Sequence, residues 1–275
     1  GQIASIEMPS EPFFGAADVA HRSMEEAQRR YAEWVSLSED LANDRRTALY
    51  FTFDDQRDWH RALLDVANLK KKPEHGAIVG CDWIDGRWPG KGALRFSGPN
   101  DRVRLKLGGR LPSITLSTWM RLDRLHKEFN PIVHLSSEKK GAVSWGIDGR
   151  GRMRLRVNED SGSADYTSSI IFRSDQIGRW VHLAVTYDSK QAKVTHYLDG
   201  LYKGSENLRG EARLSLDGGE LGNLASSGKG SSRGGNLRGA IDEFIVLRQA
   251  LAAEEIRRLY EIGRPFSMPR LNQMP

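Results

Sequence analysis

The sequence predicts an all-β fold, an antiparallel β-sandwich that follows an N-terminal helical arm and is closed by a short C-terminal helix. Three observations carry that prediction. From about residue 47 to residue 248 the chain has an extended pattern, in about a dozen short runs of strand-forming residues. Turn dipeptides suited to tight hairpins separate those runs, notably Asp148-Gly149 and Asp199-Gly200. No helical pattern lies between them and no period repeats at fixed length. That leaves a sandwich or jelly roll rather than a parallel α/β sheet, a solenoid or a propeller.

Taken in order, residues 1–15 are polar, carry Pro9 and Pro12, and form an arm. From Ala16 to Asn43 the pattern is helical, with Met24, Ala27, Tyr31, Trp34 and Leu41 on one apolar stripe. Packing of this stripe on the β domain is expected, with Tyr31 and Trp34 buried. Ser23 with Glu26 and Ser36 with Glu39 each have capping-box spacing, which predicts a break near Ser36. Residues 1–46 are therefore arm and helix, 47–265 the β domain, and 266–275 a tail. The stretch after "LYFTFDD", through "CDWIDGRWPGKG", is read as loop-rich. Twelve runs are read as strands: "ALRF", "RVRLKL", "SITLSTWMRL", "PIVHLS", "AVSWGI", "RMRLRV", "SSIIF", "WVHLAVTY", "KVTHYL", "LYKGS", "ARLSL" and "AIDEFIVL".

Composition bounds the function. With 275 residues, 39% hydrophobic and 28% charged, the chain can bury a sizeable core and is an ordinary globular protein. Its net charge of +5 is scattered, with arginines at alternating strand positions such as Arg152, Arg154 and Arg156. A nucleic-acid reader would show a dense basic stripe, so no nucleic-acid partner is expected. The one dense run, Lys70-Lys71-Lys72, is read as a loop. No apolar run is long enough to span a membrane. The single cysteine, Cys81, excludes a disulfide framework and a thiolate zinc site.

Catalytic patterns are weak. Gly230-Ser231-Ser232-Arg233-Gly234 matches a nucleophile elbow, but it sits in a Gly/Ser-rich loop and lacks the required strand–turn–helix context. Asp217 and Glu220 flank a Gly-Gly turn. Trp119 and Trp180 lie in apolar strands and are expected in the core. Trp83, Trp88 and Trp145 lie nearer loops, where an indole face can stack on a sugar ring or anchor the loop. The stretch from Gly239 to Leu247 is apolar on both faces, yet contains Asp242 and Glu243. Alternation puts the two acids on opposite faces. A buried carboxylate needs hydrogen-bond donors, a cationic partner or a metal.

Five segments in order, "GALRFSGPNDRVRL", "SITLSTWMRLD", "GRWVHLAVTYD", "HYLDGLYKG" and "GAIDEFIVLRQALAAEEIRRLYE", resemble the laminin-G-like (LamG-like) jelly roll of the concanavalin A-like lectin/glucanase superfamily. The resemblance covers roughly residues 47 to 265 and is of the bacterial type. It departs at the last helix, where Ala252-Ala253 stands in place of a Ser or Thr cap. The resemblance implies a concanavalin A-like jelly roll and an extracytoplasmic, non-catalytic recognition module for a carbohydrate or protein ligand. An alternative is a structural or sensory domain of a membrane-anchored anti-sigma-type regulator, because similar jelly rolls follow such segments. Glucanases of the superfamily carry a Glu-x-Asp-x-x-Glu strand motif, and no glutamate here has Asp two residues on. The resemblance also implies one structural calcium ion joining the first and last strands, with Asp54 and Asp242 as its ligands. An Asp242 paired with an arginine, or accepting backbone N–H bonds, is the competing expectation.

Overall fold

A computed structural model describes residues 16–54, 61–67, 75–135, 140–224 and 235–265. The Lys70-Lys71-Lys72 run, the Gly230–Gly234 pattern, the first fifteen residues and the 266–275 tail lie outside the described residues. Helix α1 (Ala16–Asn43) leads into β1 (Thr47–Phe51), β2 (Ala62–Leu63), β3 (Gly76–Val79) and β4 (Asp82–Asp85). Next come β5 (Gly92–Phe96), β6 (Arg102–Leu105), β7 (Arg110–Leu111), β8 (Ile114–Leu122) and β9 (Phe129–Leu135). Two hairpin sets follow, β10 (Val143–Asp148), β11 (Arg152–Glu159) and β12 (Gly162–Ile170), then β13 (Trp180–Asp188), β14 (Lys193–Leu198) and β15 (Leu201–Asn207). The chain ends in β16 (Leu214–Ser215), β17 (Gly219–Leu221), β18 (Gly239–Leu247) and α2 (Ala253–Gly263).

Two antiparallel sheets face each other. One runs β15-β14-β13-β8-β18-β5-β4, with β1 also on β18, and the other runs β12-β11-β10-β9-β17-β6-β3-β2. Between them lies one apolar core that includes Phe51, Leu94, Phe96, Leu116, Met120, Trp145, Leu155 and Phe244. The first sheet is also covered on its outer face. Leu37 and Leu41 of α1 and Ile256 of α2 pack there on Tyr50, Ile245 and Leu247. All nine residues of β18 are therefore buried, as expected of a strand with apolar residues on both faces.

Three expectations are corrected. The helix does not break at Ser36, because Trp34, Leu37, Ser38 and Leu41 pack as one continuous face on the sheet and override the local capping signal. Only the later part of the stripe is buried: Trp34 is 2% exposed, whereas Met24 is 55% exposed. Third, the stretch read as loop-rich contains β2, β3 and β4, which are two to four residues long and too short to register a period. The Asp199-Gly200 turn joins β14 to β15 with φ of 50° and 72°, the doubly left-handed conformation of a type I′ hairpin. Helix α2 starts without a hydroxyl cap, and the Glu255 carboxylate accepts the Ala252 N–H at 2.9 Å instead.

Candidate functional site

The acid pair is gathered by a β-bulge. On β8, Met120 faces Ile241 and Trp119 faces Glu243, so Asp242 is an extra residue with no partner on that side. Ile241 and Phe244 both point into the inter-sheet core, while Ile245 and Leu247 point toward the helices. The extra residue therefore breaks the alternation and brings Asp242 and Glu243 to the same group of cations. On the opposite edge of β18, pairing with β5 ends at Ile241 and pairing with β1 begins at Phe244. The loop from β4 to β5, "GRWPGK", reaches the acids at that gap. Gly86 is required there: a Cβ would lie 2.4 Å from Asp242 Oδ2 and 2.6 Å from the Gly92 carbonyl.

That loop carries both counter-charges. Arg87 donates its backbone N–H to Asp242 Oδ2 at 2.5 Å, and its guanidinium bonds both Asp242 and Glu243. Lys91 Nζ donates to Asp242 Oδ1 at 2.7 Å and to the Asp242 carbonyl at 2.5 Å. Glu243 also accepts Trp34 Nε1–H from α1 at 3.0 Å and Tyr50 O–H from β1 at 2.6 Å. Arg87 Nε–H reaches the Gly263 carbonyl of α2 at 2.8 Å. The guanidinium lies 5.3 Å from the Trp34 ring centroid and 4.8 Å from that of Trp119. Two cations thus meet two anions in a buried node that joins β18, β1, the 86–91 loop and both helices. Burial pulls the Arg87 and Lys91 pKa values down. For Glu243, burial alone would raise the pKa, but the nearby Arg87 and Lys91 charges hold the carboxyl below its usual range.

The donors around Asp242 do not fit the calcium ion that the resemblance implies for Asp54 and Asp242. Both Asp242 oxygens already accept N–H bonds from cationic side chains or backbone, and a divalent ion would have to lie against Arg87 and Lys91. Asp54 is exposed and accepts a long 3.4 Å bond from the Tyr31 hydroxyl, and its charge acts on the same two cations. Among the described residues, no group of three or more His, Cys, Asp or Glu could hold a metal. The first and last strands are joined by their own antiparallel ladder and by the Tyr50–Glu243 hydrogen bond, with Arg87 and Lys91 neutralising the acids from the 86–91 loop.

The other candidates are also placed. Trp88 and Trp145 are 1% and 0% exposed, so neither has a face for a sugar, and Trp83 is half-buried against the core. Trp180, expected in the core, is half-buried instead, with the Arg121 guanidinium 5.4 Å from its ring centroid. Glu220 is buried and pairs with Arg102 at 3.2 Å, while Asp217 accepts the Ser215 hydroxyl at 3.1 Å, so each is engaged structurally. Cys81 is half-buried, and burial pushes its thiol up to about 12, so it is not poised as a nucleophile.

Two open concave surfaces stand out among the described residues. The larger, about 740 Å³, opens at the end of the sandwich where the 108–113 and 208–213 loops meet the β13–β14 turn. Tyr187 lies beneath it, and Arg110, Arg209 and Arg213 stand on its walls beside a Lys140–Asp160 ion pair of 2.5 Å. The smaller, about 310 Å³, lies where α1, α2 and the start of β13 meet. Neither surface could be read from sequence, because each collects residues from elements distant along the chain.

Comparison with known proteins fits this geometry. Domain 4 of an extracellular arabinanase from Geobacillus stearothermophilus, solved with arabinotriose, is 19% identical with a TM-score of 0.58. The match covers 78% of this chain and 98% of that domain. The botulinum neurotoxin serotype G binding domain gives 16% identity and a TM-score of 0.59 over 79% of this chain, and that of Paraclostridial Mosquitocidal Protein 1 gives 16% and 0.59 over 78%. This chain spans about half of those toxin domains, 51% and 52%. At such identities the likeness shows the fold. No curated protein matches in sequence. The concanavalin A-like lectin/glucanase profile, in its laminin-G-like form, matches residues 97–257, more than half of the chain, and the protein belongs to that superfamily.

Proposed function

We propose that the protein is a non-catalytic recognition module acting outside the cytoplasm, and that a glycan or protein segment enters the larger groove at the end of the sandwich. One observation carries the reading: a groove of about 740 Å³ on a rigid two-sheet frame, within the size range of ligand sites. Its walls present hydrogen-bond donors, Arg110 and Arg213 among them, and of its two acids, Asp160 and Glu211, Asp160 is already paired with Lys140. The fold neighbours support it, since they are binding domains, one of them solved with a bound oligosaccharide. A glycan array should find ligands, and Arg213→Ala should weaken the best of them about tenfold without changing the melting temperature. Turnover of a polysaccharide that disappears on changing one Asp or Glu would overturn the non-catalytic reading.

A second reading has its own observation. The later turns of α1 are fastened to the sandwich by Trp34–Glu243 and Ser38–Tyr50 hydrogen bonds of 3.0 and 2.8 Å, while Met24 remains exposed. A helix held in this way could link the domain to a membrane-anchored regulator. Within the described residues, no helix is long and apolar enough to cross a membrane.

A further inference from the structure

The smaller recess lies near the opposite end of β13 from the larger groove and has a different chemistry. Arg30 enters from α1, Arg179 from the approach to β13, and Arg264 from the end of α2. Trp180 and Tyr260, both half-buried, line it with them. One carboxylate, Asp199, shares the space, and it already accepts the His182 backbone N–H at 2.9 Å. Among the described residues, neither Arg179 nor Arg264 has a carboxylate within 4 Å. Arg30 uses its Nε on Glu26 at 3.0 Å, and Glu26 is shared with Arg29.

Arg179, whose charge acts on Asp199, and Arg264 bring to the recess two guanidiniums with no close ion pair among the described residues, and Arg30, shared with Glu26, adds a third. An anion in the recess would complement these charges and accept forked hydrogen bonds. The aromatic residues narrow the choice of anion. Tyr260 stacks on Trp119 with ring centroids 5.8 Å apart, and Arg121 covers Trp180. Both rings are thereby held in place, and sugar C–H groups pack favourably on fixed aromatic surfaces.

We propose that this recess binds an acidic sugar, its carboxylate held by Arg179, Arg264 and Arg30 and its ring set against Trp180 and Tyr260. Because Arg30 belongs to α1, an occupied recess also holds that helix on the sandwich. The site is separate from the larger groove and does not rest on the reading given for it.

The test uses the whole chain and a galacturonic-acid oligomer, with its neutral galactose counterpart and inorganic sulfate as comparisons. Calorimetric titration should show that the uronate binds at least tenfold more tightly than the neutral oligomer. Arg179→Ala and Arg264→Ala, both exposed, should each weaken binding about tenfold while melting as the wild type does. Hydrogen exchange should show the α1 amides around Arg30 more protected when the uronate is bound. Four results would overturn the proposal: no uronate binding, binding by both arginine variants as tight as the wild type's, displacement of the uronate by equimolar sulfate, or loss of binding on Arg213→Ala instead. The last would move the acidic ligand to the larger groove and leave the function proposed for that groove standing.

Discussion

Lys91 and Arg87 decide what the acid pair does. Lys91 is 0% exposed, and its ammonium has Asp242 as its hydrogen-bonded counter-charge. Removing one member of a buried, hydrogen-bonded charge set leaves its partner uncompensated, typically at a cost of about 3–5 kcal/mol. Lys91→Met should therefore lower the unfolding free energy in urea by that order, although the methionine fills most of the volume. A chelator should leave the wild-type melting temperature unchanged, because Asp242 is neutralised by side chains; a chelator-sensitive melting curve would refute this account of the node. The sequence shows that Asp242 and Glu243 need partners. It does not show which ones, because strict alternation assigns the acids to opposite faces and only the bulge brings them together. Arg87 and Lys91 lie more than 150 positions earlier, in a loop whose tryptophan draws attention to anchoring rather than to charge.

Among the elements, α1 shows how tertiary packing overrides local signals. Its period and the burial of Trp34 are legible in the sequence, since the stripe from Tyr31 to Leu41 has helical spacing. The uninterrupted passage through Ser36 is not legible, because it depends on Tyr50, Ile245 and Leu247 on the outer face of the first sheet. The expected weakness at the start of α2 is offset in a similar way, as Glu255 bonds the Ala252 N–H and also pairs with Arg46 at 2.7 Å. Trp34 is the best measure of helix docking. It is buried, bonds Glu243 through its indole N–H, and lies beside both Arg87 and Lys91. Trp34→Ala should cost about 3–5 kcal/mol, the range for deleting a large aromatic from a core. Trp34→Phe should cost less but lose the Glu243 bond. Hydrogen exchange should then show α1 opening at lower free energy than the sandwich, and unchanged α1 protection in Trp34→Ala would show that the helix is held elsewhere.

For the molecule as a whole, the two-layer plan and hairpin order are visible in the sequence, while the polar groups enclosed by the layers are not. His182 and His196 lie in strands whose periodicity is clear, but the burial of His182 depends on α2 over the first sheet and that of His196 on the facing strand β12. Burial lowers His182 to about 3 and His196 to about 4. Glu243 and Arg87 act on the first in opposite senses, and Glu206 partly opposes the shift of the second. The unfolded chain binds these protons near pH 6.5, whereas the folded protein refuses them until much lower pH. Between about pH 6.5 and pH 4 the unfolded state therefore carries more protons, and stability must fall as pH falls. At pH 5 each histidine should account for about 2 kcal/mol of loss relative to pH 8. Carboxylates held below their usual range, such as Asp148, Asp165 and Glu255, lose their contribution only at lower pH, as they protonate in the folded state. The interval from pH 6.5 to 5 thus belongs mainly to the histidines. His182→Gln, which can keep a side-chain bond to the Ser117 hydroxyl, should clearly reduce the slope of unfolding free energy against pH in that interval, a slope it shares with His196 and with His134, which burial also lowers. An unchanged slope in urea titrations across it would show that His182 is not held neutral by the fold.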